Sequence, residues 1–337
     1  MSDQIEHAGP SIRVAMVGSG GRAGAQVESM RRSGRAVPVG FWNRTQAVAD
    51  ARSREAGLDR GFATITEMIQ ATVPDVVSVV THPTARLALL RETIAAGARV
   101  ILLEKPIALT PAELREIEAM TSDVFVAVNT QYRWMTHWER FWQTLRDGRI
   151  GEIRNIRAST GVDILEQGPH LLSLALTAAR AAGLPMPTWV LAGGSGDSHY
   201  GEIRVPSDLT AVMDLGPARL QVLAGGAAPL SAEEDLIYFQ QQVEIIGSRG
   251  RLWASLTRGW EMWAEDEVSS GITQWPRDDH QAQAALFADL ADAVHTPSLR
   301  AQFPTSITRA AEETSLLFAC IESARSQRTV HRDSWSM

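Results

Sequence analysis

Apolar positions in the first third of the chain fall in short unbroken runs instead of alternating with polar ones. The runs are Arg13 to Val17, Val37 to Trp42, Val76 to Val80, Arg99 to Leu103 and Val124 to Val128. Runs of that length, rich in Val, Ile and Leu, predict strands buried on both faces, as in a parallel sheet. Between them lie helical patterns such as Gln46 to Ala56 and Ala85 to Ala96, the latter closed by Gly97. Strand and helix in alternation predict an α/β domain with a doubly wound parallel sheet. Beyond Gly151 the pattern changes. TAVMDLGPARLQVLA (210–224) and QVEIIGSRGRLWASL (242–256) each read as two β runs around a glycine-containing turn, which predicts hairpins and an open, mainly antiparallel sheet. Helical patterns at Leu171 to Ala182, Gln281 to Val294 and Thr308 to Arg325 complete a second α/β domain. The expected division is residues 1–128 and 129–337, which suits a chain too long for one hydrophobic core.

Composition narrows the function. A net charge of −7 and the absence of a basic tract argue against a nucleic-acid partner. The start, MSDQIEHAGPSIR, carries acids where a signal peptide needs a basic segment followed by an apolar one, and no long uncharged apolar stretch occurs. The expectation is a cytoplasmic protein without a membrane partner. The single cysteine, Cys320, lies in a helical apolar pattern and is expected to be a buried, inert thiol. No Cys/His cluster has metal-ligand spacing, so no metal is expected. The cluster Trp253, Trp260 and Trp263 is read as core or interface packing.

The first apolar run ends in VGSGGRAG, which sets Gly18, Gly20 and Ala23 in the spacing G-x-G-x-x-A between a strand and a helix. That context is the dinucleotide fingerprint of a Rossmann domain. The first glycine permits a tight turn, the second lets a pyrophosphate approach the backbone, and the small third residue lets helix and strand pack closely. Ser19, Gly21 and Arg22 fall in the same loop and are expected to contribute to the cofactor site. The end of the second strand offers Asn43, Arg44 and Thr45, with no carboxylate before Asp50. An acid there would hold the ribose 2′-hydroxyl of NAD, whereas an arginine can pair with a 2′-phosphate, so NADP(H) is favoured over NAD(H).

The fourth strand ends in Glu104, Lys105 and Pro106. Ligands of doubly wound sheets sit at the carboxyl ends of the strands, where a lysine can donate to a carbonyl or hydroxyl oxygen and stabilise a developing alkoxide. In EQGPHLL, Glu166 and His170 are four apart, and Pro169 is read as the first turn of a helix. A histidine in that turn would feel the positive end of the helix dipole and stay neutral enough to accept a proton. Asn129, Gln131, Tyr132 and Arg133 follow the fifth strand and are read, with Gln167, as lining a small-molecule site for a polyhydroxylated substrate.

VGSGGRAG, EKPIAL and EQGPHLL, in this order, resemble the glucose-fructose oxidoreductase, inositol dehydrogenase and rhizopine-catabolism family, or Gfo/Idh/MocA. VNTQYRW, GRIGEIRNIRA and IIGSRGRLW are similar to further segments of it. The resemblance implies a Rossmann domain followed by an α/β domain whose open sheet makes homodimers or homotetramers. It implies hydride transfer between NAD(P)(H) and a sugar, cyclitol or related hydroxy-ketone. By position, it makes Lys105 the catalytic lysine, with a cis bond before Pro106, and His170 the proton-transfer histidine. Thr81 and Pro83 match residues near the nicotinamide. Glu166 stands where aspartate is usual, Gln26 where a histidine often ends the first motif, and Arg86 where a histidine ends the T-P-x-x-x-H segment. Two other readings remain at this level: an NADP-binding sensor without chemistry, and the redox-assisted glycosidase variant of the family.

Overall fold

The computed structural model describes residues 9–230, 234–265 and 267–335. The chain forms two compact units, one of residues 1–134 with 279–311, the other of residues 135–278 with 312–337.

In the first unit β1 (Ile12–Val17), β2 (Ala36–Trp42), β3 (Val76–Val79), β4 (Val100–Glu104) and β5 (Phe125–Asn129) form one sheet in the order β2-β1-β3-β4-β5. Every pairing is parallel. β3 and β4 are buried at every position, as unbroken apolar runs require when helices cover both faces. The connecting helices are α1 (Gly21–Ser33), α2 (Gln46–Glu55), α3 (Ile65–Thr72), α4 (Pro83–Ala95) and α5 (Pro111–Met120). Caps fix several of their starts: Thr64 accepts from Glu67 N, and Thr110 accepts from Glu113 N with Pro111 following. The order reverses between β1 and β3, which places a topological switch point beside the glycine loop.

In the second unit α6 (Thr136–Arg146) precedes β6 (Ile153–Thr160) and the long α7 (Ile164–Ala181). The strands β7 (Trp189–Ser195), β8 (Ser198–Tyr200), β9 (Ile203–Val205), β10 (Asp208–Leu215), β11 (Ala218–Ala224), β12 (Gln241–Gly247), β13 (Gly250–Ser255), β14 (Gly259–Ala264) and β15 (Glu267–Ile272) follow. Further along the chain come α8 (Arg277–His295), which from Asp279 onward belongs to the first unit, then α9 (Ile307–Ser326), β16 (Val330–His331) and α10 (Arg332–Trp335). Nine strands make one sheet in the order β15-β14-β13-β12-β6-β11-β10-β7-β16. Only β11 and β6 pair in parallel, and the two hairpins expected from the sequence are β10–β11 and β12–β13. Burial alternates along β10 and β11, so one face of this sheet is packed and the other meets solvent. The packed face carries α7, whose buried side chains include Leu171, Leu172 and Leu176.

The first unit is completed by chain from far downstream. Leu286, Phe287 and Leu290 of α8 are fully buried in the core that holds Met16, Met30 and Phe41. Val128 N donates to Thr305 O at 2.8 Å, and Phe303 meets Phe125 edge to face at 5.5 Å. No helix among the described residues is long and apolar enough to cross a membrane. Cys320 is fully buried, and burial pushes its thiol up to about 12, so it holds its proton.

Candidate active site

Gly18 is required where it stands. Its φ is +105°, and a Cβ there would lie 2.1 Å from Val80 O and 3.1 Å from Thr81 Cγ2. The turn is thereby pressed onto the end of β3. Gly20 and Gly21 differ, since a Cβ on either would meet open space. Gly20 caps α1 without a side-chain hydrogen bond, and the first turn of the helix carries no acid. Ser19 Oγ and Thr81 Oγ1 are buried without a hydrogen-bond partner among the described residues. A glycine helix start with no acid in its first turn and unassigned hydroxyls beside it suits a pyrophosphate, so these residues fit a dinucleotide. Arg52 of α2 steadies the loop from behind, donating to Ser19 O at 3.3 Å and Gly20 O at 3.4 Å. At the end of β2, Asn43 Oδ1 accepts from Thr45 N at 3.0 Å, and Arg44 is exposed.

The end of β4 holds a buried polar network. Glu104 is 5% exposed, and its Oε1 accepts from Asn129 Nδ2 at 2.6 Å, Gln26 Nε2 at 2.8 Å and Arg22 Nε at 3.3 Å. Gln26 Oε1 accepts in turn from Ser78 Oγ at 2.7 Å. Burial acts to raise the Glu104 pKa, but Arg22, the Asn129 amide, Arg86 and Lys105 outweigh it and hold the carboxyl below its ordinary range. Arg22 also lies 3.8 Å from Asp279 of α8, which accepts from Gln131 Nε2 at 2.7 Å. Burial dominates at Asp279 and raises its pKa despite Arg22 and Gln131. Asn129 and Gln131 thus turn into the protein and hold the two acids, while Tyr132 is buried and Arg133 half-buried.

Lys105 is half-buried, and its bond to Pro106 is cis. Arg86, in place of the usual histidine, is 2% exposed and donates to both Pro106 O and Thr81 O. One guanidinium therefore ties the loop after β3 to the loop after β4. Pro83 begins α4 behind His82, whose ring accepts from Thr84 N.

In the second unit the start of α7 corrects an expectation. The helix begins at Ile164, capped by Asp163, whose Oδ1 accepts from Leu165 N and Glu166 N at 3.0 Å each. Pro169 consequently lies inside the helix, and His170 is beyond its first turn, outside the short reach of the N-terminal dipole. Two backbone donors satisfied by one carboxylate outweigh the preference of proline for a first turn. Glu166 and His170 do share a helix at i and i+4, Glu166 half-buried and His170 2% exposed. Tyr238 Oη donates to Glu166 Oε1 at 2.5 Å, and Tyr200 Oη lies 3.2 Å from Glu166 Oε2 and 3.0 Å from Asp163 Oδ1. Gln167 is buried, accepting from Gln241 Nε2 at 3.1 Å and donating to Tyr238 O at 3.5 Å.

Residues 12–130 match the model of a family described as an oxidoreductase family with an NAD-binding Rossmann fold, Gfo/Idh/MocA. Over residues 12–130 the chain carries the NAD-binding Rossmann domain of this oxidoreductase family. It is accordingly an NAD(P)-dependent enzyme, and the sequence reading of family and fold class holds. No curated protein matches the sequence. Among solved structures, an oxidoreductase from Agrobacterium radiobacter in complex with NAD+, L-tartaric acid and magnesium is 18% identical with TM-score 0.78, covering 96% of this chain and 99% of that one. GenD2 from gentamicin A biosynthesis, in complex with NAD, is 20% identical with TM-score 0.77 and 97% of each chain covered. An inositol dehydrogenase homologue from Azotobacter vinelandii, with NADH and myo-inositol, is 17% identical with TM-score 0.76, covering 96% and 98%. At these identities the likeness is one of fold.

Five residues that the motif reading did not assign to the site emerge around this oxidoreductase's polar groups: Arg52, Asp163, Tyr200, Tyr238 and Asp279. Asp163 had a signal, since Asp163 and Glu166 stand at capping-box spacing. The others carry no local mark. Among the described residues no group of three or more His, Cys, Asp or Glu could hold a metal ion.

Proposed function

We propose that this oxidoreductase moves a hydride between NADP(H) and the carbinol or ketone carbon of a sugar, cyclitol or related polyol. The observation that carries the reading is the end of β4, where three donors anchor Glu104 and the next residue is a half-buried lysine at the carboxyl edge of a parallel sheet. When bound, the nicotinamide supplies or accepts the hydride. Gly18, Ser19, Gly20, Gly21, Arg22 and Ala23 hold the pyrophosphate, Asn43, Arg44 and Thr45 the adenosine ribose, and Thr81, Pro83 and Glu104 border the nicotinamide. NADP(H) is preferred because the end of β2 offers an exposed arginine and no carboxylate.

The Lys105 ammonium donates a hydrogen bond to the reacting oxygen and stabilises the negative charge that grows on it. His170 takes the hydroxyl proton in oxidation and returns it in reduction. Glu166 accepts from a neighbouring substrate hydroxyl, and Tyr132 and Arg133 add an aromatic edge and a cation for a polyol. Asn129, Gln131 and Gln167 act by holding Glu104, Asp279 and the backbone of Tyr238. The protein works in the cytoplasm as a homodimer or homotetramer, through the solvent-facing side of the nine-stranded sheet, which exposes Trp263 at 56% and Leu191 at 47%. Lys105→Met tests the mechanism. Turnover of a panel of ketosugars and inositols, followed by absorbance of the reduced nicotinamide, should fall about a hundredfold or more, with coenzyme affinity nearly kept. Unchanged turnover removes Lys105 from the chemistry, and sugar release from a glycoside without net coenzyme consumption replaces dehydrogenation by redox-assisted hydrolysis.

A further inference from the structure

The two edges of the nine-stranded sheet are guarded differently. One edge is β16, which is two residues long and offers little backbone to another chain. The other is β15, a six-residue strand that pairs with β14 in a continuous antiparallel ladder and has no neighbour on its far side among the described residues. Its sequence, EVSSGI, holds no Pro or Lys, and the ladder has no bulge that would twist the edge away. Its one charge is engaged within the chain, since Glu267 accepts from Arg140 and from Arg149 Nη2 at 2.6 Å. Exposure alternates along the strand, so Val268, Ser270 and Ile272 stand on the solvent side, Val268 69% and Ile272 81% exposed. Trp263, opposite Val268 on β14, is exposed as well.

We propose that β15 pairs antiparallel with β15 of a second copy across a two-fold axis at Ser270, joining the two sheets edge to edge. Directly opposite residues of an antiparallel pair share a face, so this axis sets Val268 against Ile272 of the second copy and Ser270 against its own equivalent. The strand is therefore complementary to itself. Apolar β-branched side chains meet on one face, and Glu267 meets Thr273, so no like charges are opposed. An axis between Ser269 and Ser270 would set core-facing residues against solvent-facing ones, which the pleat forbids. A six-residue ribbon supplies part of the roughly 800 Å² per partner that a stable dimer buries. The exposed Trp263 adds to it and makes the contact continuous with the solvent-facing side of the sheet. Because the contact is isologous, it uses the long edge of both copies and closes as a pair instead of propagating.

The test uses the full chain and the axis itself. Opposed Cα atoms of an antiparallel pair lie about 4.5–5.5 Å apart, within disulfide reach. Ser270→Cys should form an intermolecular disulfide under mild oxidation. Val268→Cys should not, because its two copies lie about four residues apart along the ribbon. The native Cys320 is fully buried and stays silent. A disulfide that fails at 270, or forms equally at 268, overturns the register. Ile272→Lys supplies the second readout: sedimentation over a concentration series should show the largest wild-type species reduced to half its mass, with an unchanged circular dichroism spectrum. A wild type that stays monomeric throughout, or an Ile272→Lys assembly of unchanged mass, overturns the pairing. Turnover enters neither readout, so failure of the dehydrogenase reading leaves this inference standing.

Discussion

Arg44 is exposed at the end of β2 with no acid beside it on that strand end, so its charge is available to a phosphate and hostile to nothing in an unphosphorylated ribose. Arg44→Asp should weaken NADPH binding about tenfold or more, the worth of one charge-assisted hydrogen bond, and leave NADH unchanged or tighter. Direct titration of both coenzymes checks this, and equal losses would mean that the arginine does not choose between them. Arg86 and Gln26 carry a similar lesson. Each replaces a histidine that the family motifs lead one to expect, and each has a job visible in its contacts, the one tying two loops and the other linking Ser78 to Glu104. Such departures read from sequence as losses, because the partner that gives them meaning lies on another strand.

Helix α8 illustrates what an element contributes far from its place in the sequence. Its residues Leu286, Phe287 and Leu290 are fully buried against the first sheet, and its first turn supplies Asp279 to the network at Arg22. Phe287→Ala should lower stability by about 3–5 kcal/mol and loosen the site near Glu104 as well, seen as weaker coenzyme binding alongside a lower denaturation midpoint. The strands of the first unit were legible to within a residue or so, since unbroken apolar runs between helical patterns have few other solutions. The hairpins of the second sheet were legible from their turns. Pro169 points by its preference to a helix terminus, but Asp163 and its two backbone bonds set the start of α7 five residues earlier, at Ile164. Tyr200, Tyr238 and Asp279 were beyond reach, because their place in the site is set by packing between segments that periodicity cannot connect.

Taken whole, the molecule should answer to acid in two stages. His137 is enclosed by the rings of Trp138, Phe141 and Trp260, and burial lowers its pKa from 6.5 to about 4, with Asp278 opposing weakly. Because the folded state resists this proton and the unfolded state takes it, stability is complete above about 6.5 and declines as pH falls toward 4, by about 3 kcal/mol in all. His137→Phe should flatten that slope, measured as Tm against pH, and a slope that persists would assign it to other groups. The second stage lies lower. Glu104, held ionised by Arg22, Gln26 and Asn129, stabilises the fold above its unfolded pKa, and this is lost as pH falls through its depressed folded value.

The return of residues 279–311 to the first sheet also bears on how the protein is made. A ribosome will have emitted all five parallel strands and eight of the nine strands of the second sheet before Phe287 leaves the exit tunnel, so the nascent coenzyme lobe waits, with a greasy bed uncovered, for the rest of translation. A gene truncated after the fifth strand would therefore yield not a small nucleotide-binding domain but a sticky, half-roofed one.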